Sequence, residues 1–215
     1  MVVADPQQIR SIIFDLDGTL YVSPEVAHQI EAIGDELAAA TRGVSLEEGR
    51  ALLRGARRRL AETYEEEPTL SRTLMEMGIE ISDFHRAMQE KVTPERFLQH
   101  DPVLFALLDS LRDNCELYIY TNNNLPLARK ILALLGVEEL FSRLYTIEFG
   151  WQPKPDQNVL ERILEDIGGP RESFLFVGDR HNIDLRLADS FGIPTLLVSE
   201  TADLLQIHKV LGILP

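Results

Sequence analysis

The sequence is poor in cysteine, in basic residues and in long apolar runs. Its 215 residues hold one cysteine, Cys115, inside the run CELYIY. A lone thiol cannot close an internal disulfide, so the fold must rest on its core, and a reducing cytoplasm is the expected setting. No stretch carries 18 consecutive apolar residues, which excludes an apolar helical membrane span. The opening MVVADPQQIR lacks the basic-then-apolar layout of a secretory signal. Only 21 Lys and Arg stand against 35 Asp and Glu, for a formal net charge of −14. Such a surface repels DNA, RNA and anionic membranes, so neither a nucleic-acid polymer nor a membrane is an expected partner. A phosphorylated small molecule remains possible where local cations overcome that field. The 45% hydrophobic content suffices for a core and argues against disorder. The length suits one α/β domain, or a core with an insertion.

Five short, continuous apolar runs end at turn signals: residues 9–14, 116–121, 143–149, 173–178 and 194–199. Their length and lack of alternation predict strands covered on both faces. Between the later runs the period turns helical. LPLARKILALLG stops at Gly136, DQNVLERILEDIGG ends in a glycine pair, and NIDLRLADSFG repeats the pattern. Alternating strand and helix predicts right-handed crossovers and a doubly wound, Rossmann-like parallel sheet. One segment breaks the alternation. From residue 23 to about 100 the pattern is helical only, with Ser23-Pro24 opening one helix and the capping box Ser45/Glu48 another. The expected layout is an α/β core of residues 1–21 and 101–215 with a helical insertion over 22–100.

Ligands of an open parallel sheet bind beyond the carboxyl ends of its strands. The polar residues fall there repeatedly. Asp15 ends the first strand, Thr121-Asn122 the second and Gly178-Asp179 the fourth, while Lys154 lies in the loop after the third. Asp17 and Asp184 add two more carboxylates to the same edge. These residue types suit the in-line attack on a phosphate monoester, with charge gathered on three equatorial oxygens. A carboxylate can attack phosphorus, and a second acid can protonate the leaving oxygen. Mg²⁺ prefers oxygen ligands and would offset the carboxylates and the phosphate together. Thr121, Asn122, Lys154 and backbone N–H groups after Asp15 would hold the remaining phosphate oxygens.

DLDGT at 15–19, Thr121, Lys154 within QPKPD, and GDRHNID with Asp179 and Asp184 occur in that order on the expected elements. In this the chain resembles the haloacid dehalogenase-like hydrolase superfamily, specifically its phosphatases. The core is similar to pyrimidine 5′-nucleotidases and phosphoglycolate phosphatases. The resemblance implies that Asp15 is the nucleophile and Asp17 the general acid/base. It makes Thr121 and Lys154 the phosphate-stabilising pair, with Asn122 orienting substrate or phosphate. It makes Asp15, the Asp17 backbone carbonyl and Asp179 the Mg²⁺ ligands, with Asp184 supporting the metal from behind or through water. The helical segment then corresponds to a mobile cap. Arg180 stands where many members have Ser and puts an extra cation near the site entrance. The implied enzyme is a cytoplasmic phosphatase, monomer or homodimer, acting on a nucleoside monophosphate or a sugar or carboxylate phosphate. A phosphomutase, or a non-catalytic binding or regulatory protein with the same fold, are the alternatives. A dehalogenase would lack the acid at position 17.

Plainer readings compete at several positions. A calcium loop starting at Asp15 would need Gly at its sixth and Glu at its twelfth position; Leu20 and Val26 stand there. Asp17-Gly18 alone could be a turn. Asp184 alone could be a first-turn acid favoured by the helix dipole. Arg54, Arg57 and Arg58 invite a substrate-binding role, but a solvated face countered by the acidic run 65–67 is preferred. His28, His85, His100 and His208 lack metal-ligand spacing. His181 and Trp151 are marginal candidates for substrate contact. Asn123 and Asn124 read as a polar turn before a helix.

Overall fold

A computed structural model describes residues 8–64 and 66–212. They divide into two compact units. One comprises the described residues up to Val22 and from Leu98 onward, the other those within Ser23–Phe97.

The first unit is built on five parallel strands, β1 (Ser11–Phe14), β2 (Glu116–Tyr120), β3 (Arg143–Tyr145), β4 (Phe174–Gly178) and β5 (Thr195–Leu197), in the order β3-β2-β1-β4-β5. The register pairs Ile13 with Tyr118 on one side and with Phe176 on the other. Every residue of β1 and β4 is buried. Ile13, Tyr118, Tyr120, Phe174 and Phe176 form one core layer with Val159, Leu160 and Ile163. The alternate residues Ile12, Phe14, Leu117, Ile119, Leu175 and Val177 are buried as well. Both faces are thus covered, which is why these strands read as continuous apolar runs. The chain winds from β1 out to β3, then crosses to β4. That reversal puts a crevice beyond the carboxyl ends of β1 and β4.

The described residues of the second unit form the α-helices α1 (Pro24–Arg42), α2 (Leu46–Tyr64), α3 (Leu70–Glu76) and α4 (Ile81–Lys91) and a 3₁₀ turn over Pro94–Arg96. Ser23 caps α1 by accepting the Val26 N–H at 3.2 Å, and Gly43 ends it in the left-handed region. The Ser45/Glu48 capping box forms as expected, with the Ser45 N–H on Glu48 at 3.0 Å. The arginine run belongs to this unit. Arg57 pairs with Glu31 on α1 at 3.0 Å, while Arg54 and Arg58 are exposed. Of the acidic run, Glu65 lies outside the described residues.

The core helices are α5 (Pro102–Leu111), α6 (Leu125–Leu135), α7 (Gln157–Ile167), α8 (Arg186–Ser190) and α9 (Gln206–Val210). Two departures from the sequence reading matter. The third strand stops at Tyr145 and continues as a 3₁₀ turn over Ile147–Phe149, because the Ile147 N–H turns to the Asn123 carbonyl at 3.0 Å. The helix expected from residue 182 opens instead as a π turn, His181–Leu185, before α8. Such wide turns are frequent at functional sites. This one brings the Asp184 side chain back to the end of β4, where it accepts the Arg180 N–H at 3.0 Å.

Candidate active site

Asp15 follows β1 directly, its N–H bonded to the Val177 carbonyl at 2.9 Å. Its side chain is buried beside an equally buried Lys154. The Lys154 ammonium donates to Asp15 Oδ1 at 2.5 Å, to Asp184 Oδ1 at 2.6 Å and to the Tyr120 carbonyl at 2.9 Å. All three of its protons are therefore placed. Asn122 fixes the loop behind it, with Oδ1 accepting the Lys154 N–H at 2.7 Å. Asn122 thus serves the site through Lys154. Thr121 is buried at the end of β2, where its Oγ1 accepts the Asn123 N–H at 3.1 Å.

Asp17 is held apart from this group. Its Oδ1 accepts the Tyr21 hydroxyl and its Oδ2 accepts Asn123 Nδ2 at 2.7 Å. Neither donor was singled out from the sequence. Asn124 is the N-cap of α6, accepting the Leu127 N–H at 2.9 Å. His181 is half exposed and bonds to Asp189 at 2.9 Å. Trp151 is partly exposed and has a φ of 54°.

Burial dominates the electrostatics. It pushes the Asp15 carboxyl up to about 7, against the pull of Lys154 and with the help of the Asp184 charge. It raises Asp17 and Asp179 too, opposed at Asp17 mainly by the Tyr21 hydrogen bond and at Asp179 mainly by Arg180. Burial alone would lower Lys154, but Asp15 and Asp184 outweigh it and hold the ammonium above its ordinary range. Arg180 is held up in the same way, Asp184 first and then Asp15, Asp179 and Asp17 overcoming burial.

Asp15, Asp179 and Asp184 each offer one oxygen to a set lying within 4.8 Å. The donor set is oxygen only, which suits a hard divalent ion such as Mg²⁺. Among the described residues, Asp179 Oδ1 is buried without a hydrogen-bond partner and has the Arg180 Nε at 3.8 Å, a costly state unless another group satisfies it. Lys154 and Arg180 are the cations that act on the four site carboxylates, and two positive charges against four negative leave room for a dication. The residues present therefore fit the metal. Gly18 keeps the space open. Its φ is +86°, and a Cβ there would meet Asp179 Oδ2 at 2.4 Å. Gly18→Ala should therefore cost ~2 kcal/mol or more through backbone strain and the clash. It should also weaken Mg²⁺ binding; thermal denaturation and a Mg²⁺ titration by calorimetry check the two effects.

The family model for haloacid dehalogenase-like hydrolases matches residues 9–192. The chain belongs to this family. A phosphoglycolate phosphatase from Photorhabdus laumondii is 28% identical over 198 residues, covering 86% of this chain and 78% of the relative. Among solved structures, a HAD phosphatase from Thermococcus onnurineus aligns with a TM-score of 0.60 at 19% identity, over 95% of this chain and 98% of that one. A 2-haloacid dehalogenase from Pseudomonas syringae aligns with a TM-score of 0.59 at 19% identity, over 95% and 98%. The same fold thus carries both chemistries, and only the site residues can separate them. This haloacid dehalogenase-like hydrolase is α/β with one parallel sheet, as its sequence predicts. Among the described residues, no helix is long and apolar enough to cross a membrane.

Proposed function

We propose that this hydrolase is a Mg²⁺-dependent phosphomonoesterase working through an aspartyl-phosphate on Asp15. The observation that carries the reading is the buried Asp15–Lys154–Asp184 group, with Asp179 alongside and a second acid, Asp17, held separately. An aspartate two residues after the nucleophile distinguishes this site from a dehalogenase, which needs no acid for a halide leaving group.

In this reading Asp15 attacks phosphorus and the ester P–O bond breaks. Its electron pair goes to the leaving oxygen, which takes a proton from Asp17. Water then attacks the phosphoryl group, giving a proton to Asp17 as the P–O bond to Asp15 breaks. Lys154 neutralises the phosphoryl oxygens by its charge, and Thr121 donates its hydroxyl to them. Gly18, Thr19 and Leu20 spend their N–H groups on the turn itself, bonding the carbonyls of Tyr21 and Leu16. Backbone help to the phosphate thus falls to the N–H groups of Leu16 and Asp17. Bound Mg²⁺, held by Asp15, Asp179 and the Asp17 carbonyl with Asp184 in support, would offset charge on the phosphate. The helical unit is the cap in this reading. The substrate is a small phosphorylated metabolite, either a nucleoside monophosphate or a sugar or carboxylate phosphate. The single buried thiol, Cys115, fits a reducing cytoplasm.

The test is a panel of phosphorylated metabolites, 2-phosphoglycolate and nucleoside monophosphates included, assayed with Mg²⁺ and with EDTA. Turnover should appear with Mg²⁺ and vanish with EDTA; none on any phosphoester would sink the reading. Asp17→Asn should lower kcat by about 10²–10⁴-fold, with little change in inhibition by inorganic phosphate. A lost affinity for phosphate would instead give Asp17 a binding role.

A further inference from the structure

We propose that Tyr21 and Asn123 are positioning residues that lock the Asp17 carboxyl group for proton transfer to the leaving oxygen. The proposal rests on the reading of Asp17 as general acid. The two donors come from separate parts of the chain and take separate oxygens. Tyr21 reaches Oδ1 from the same loop, which doubles back at Gly18. The Gly18 N–H bonds the Tyr21 carbonyl at 2.9 Å, and Asp17 pairs with Tyr21 in an isolated parallel bridge. Asn123 reaches Oδ2 at 2.7 Å from the end of β2. Its own backbone is tied at both ends, the N–H to Thr121 Oγ1 at 3.1 Å and the carbonyl to the Ile147 N–H at 3.0 Å. Tyr21 and Asn123 are 6% and 4% exposed, so water cannot readily take their place.

A carboxylate held by one oxygen can still swing about its Cβ–Cγ bond. Held by both, from two backbones, it cannot. General acid catalysis needs the acid within hydrogen-bond reach of the oxygen it protonates, and a misplacement of ~1 Å can cost about 10²-fold. The Lys154 contacts that hold Asp15 are a different set. Loss of Tyr21 or Asn123 should therefore damage the acid while sparing the nucleophile.

That separation gives a readout a general structural defect would not share. A p-nitrophenolate departs without a proton, whereas a benzyl alkoxide needs one. kcat/KM reports the steps through P–O cleavage, so the loss should grow with leaving-group basicity. Tyr21→Phe and Asn123→Ala are assayed on p-nitrophenyl, phenyl and benzyl phosphate at saturating Mg²⁺. Each should lower kcat/KM for benzyl phosphate by about tenfold or more, part of the 10²–10⁴-fold available to a general acid. The loss on p-nitrophenyl phosphate should be several times smaller. Tyr21→Phe added to Asp17→Asn should cost nothing further. Equal losses across the series, or an additive loss in the Asp17→Asn background, would overturn the proposal. If Asp17→Asn itself shows no leaving-group dependence, the acid assignment fails and the positioning role with it. If Asp17→Asn shows it and the other two variants do not, only the positioning role fails. Should either variant not fold, judged by its thermal transition, the other tests the same carboxylate from its opposite oxygen.

Discussion

Replacing Asp15 with Asn should abolish turnover and, at neutral pH, stabilise the metal-free protein. An amide cannot attack phosphorus as a carboxylate does, so p-nitrophenyl phosphate hydrolysis should fall by at least roughly 10⁴-fold, as when other enzymes lose their nucleophile. The stability gain follows from the same burial. The Asp15 carboxyl is pushed from 3.8 up to about 7 in the folded chain, despite Lys154 at 2.5 Å. Between those two values the unfolded chain is ionised at this position while the folded chain still holds its proton. Unfolding therefore releases a proton, and stability falls as pH rises through that window. Above it the full cost of a buried charge is present. Asn carries no such charge, and Lys154 keeps Asp184 as its partner at 2.6 Å. The variant should gain roughly 1–3 kcal/mol at about pH 7.5, less than the full shift implies because Lys154 loses one contact. Urea midpoints at about pH 4.5 and 7.5 measure it. The wild type should lose stability between them and the variant should lose less. Asp17 and Asp179 are raised as well, so the variant's slope should flatten without vanishing. A variant destabilised at the higher pH, with the wild-type slope intact, would show that Asp15 is not the strained group.

The strand ends were legible in the sequence because each apolar run stops at a polar residue of a type that chemistry can use. Asp15, Thr121 and Asp179 lie where those stops place them, and Lys154 comes from the loop that follows the third. The side chains that orient them were not legible, and NNN shows why. Three identical residues in a row have three tasks. Asn122 accepts the Lys154 N–H, Asn123 donates to Asp17, and Asn124 caps α6. Which task falls to which residue depends on how the chain turns after β2, and that turn is set by long-range bonds to Tyr145 and Ile147. No local pattern encodes them. Tyr21 is a similar case. It reads as one more bulky residue after Leu20, but the left-handed Gly18 returns it to Asp17. The spacing of four residues across that glycine was the available signal. The π turn at His181–Leu185 was invisible for a further reason. Its residues carry the same period as a helix, and the extra residue is accommodated by bonds from Lys154 and the Arg180 N–H to Asp184.

Lys154→Met should produce the largest loss of stability from any single change at this site. Met has similar length and keeps the apolar stem packed, so the effect isolates the charge. Without the ammonium, Asp15 and Asp184 remain buried with no cation between them. Removing one partner of a buried ion pair typically costs about 3–5 kcal/mol. Arg180 does not replace it, since its Nε lies 4.0 Å from Asp184 Oδ2, the oxygen that Lys154 does not bond, and its side chain is half exposed. The loss should depend on pH. With Lys154 gone, the Asp15 carboxyl loses the charge that pulls it down and rises further above its unfolded value, so stability falls more steeply as pH increases. At about pH 5 Asp15 takes a proton in the folded state and most of the penalty disappears. Thermal transitions of the metal-free variant and wild type should therefore lie closer at about pH 5 than at pH 8. A gap independent of pH would mean that packing, not charge, is what Lys154 supplies. Turnover should fall as well, because the phosphoryl oxygens lose their buried cation and Asp15 becomes more fully protonated near neutrality. Raising the pH should recover part of that activity even as stability declines, a divergence expected only if one buried cation serves both the fold and the nucleophile.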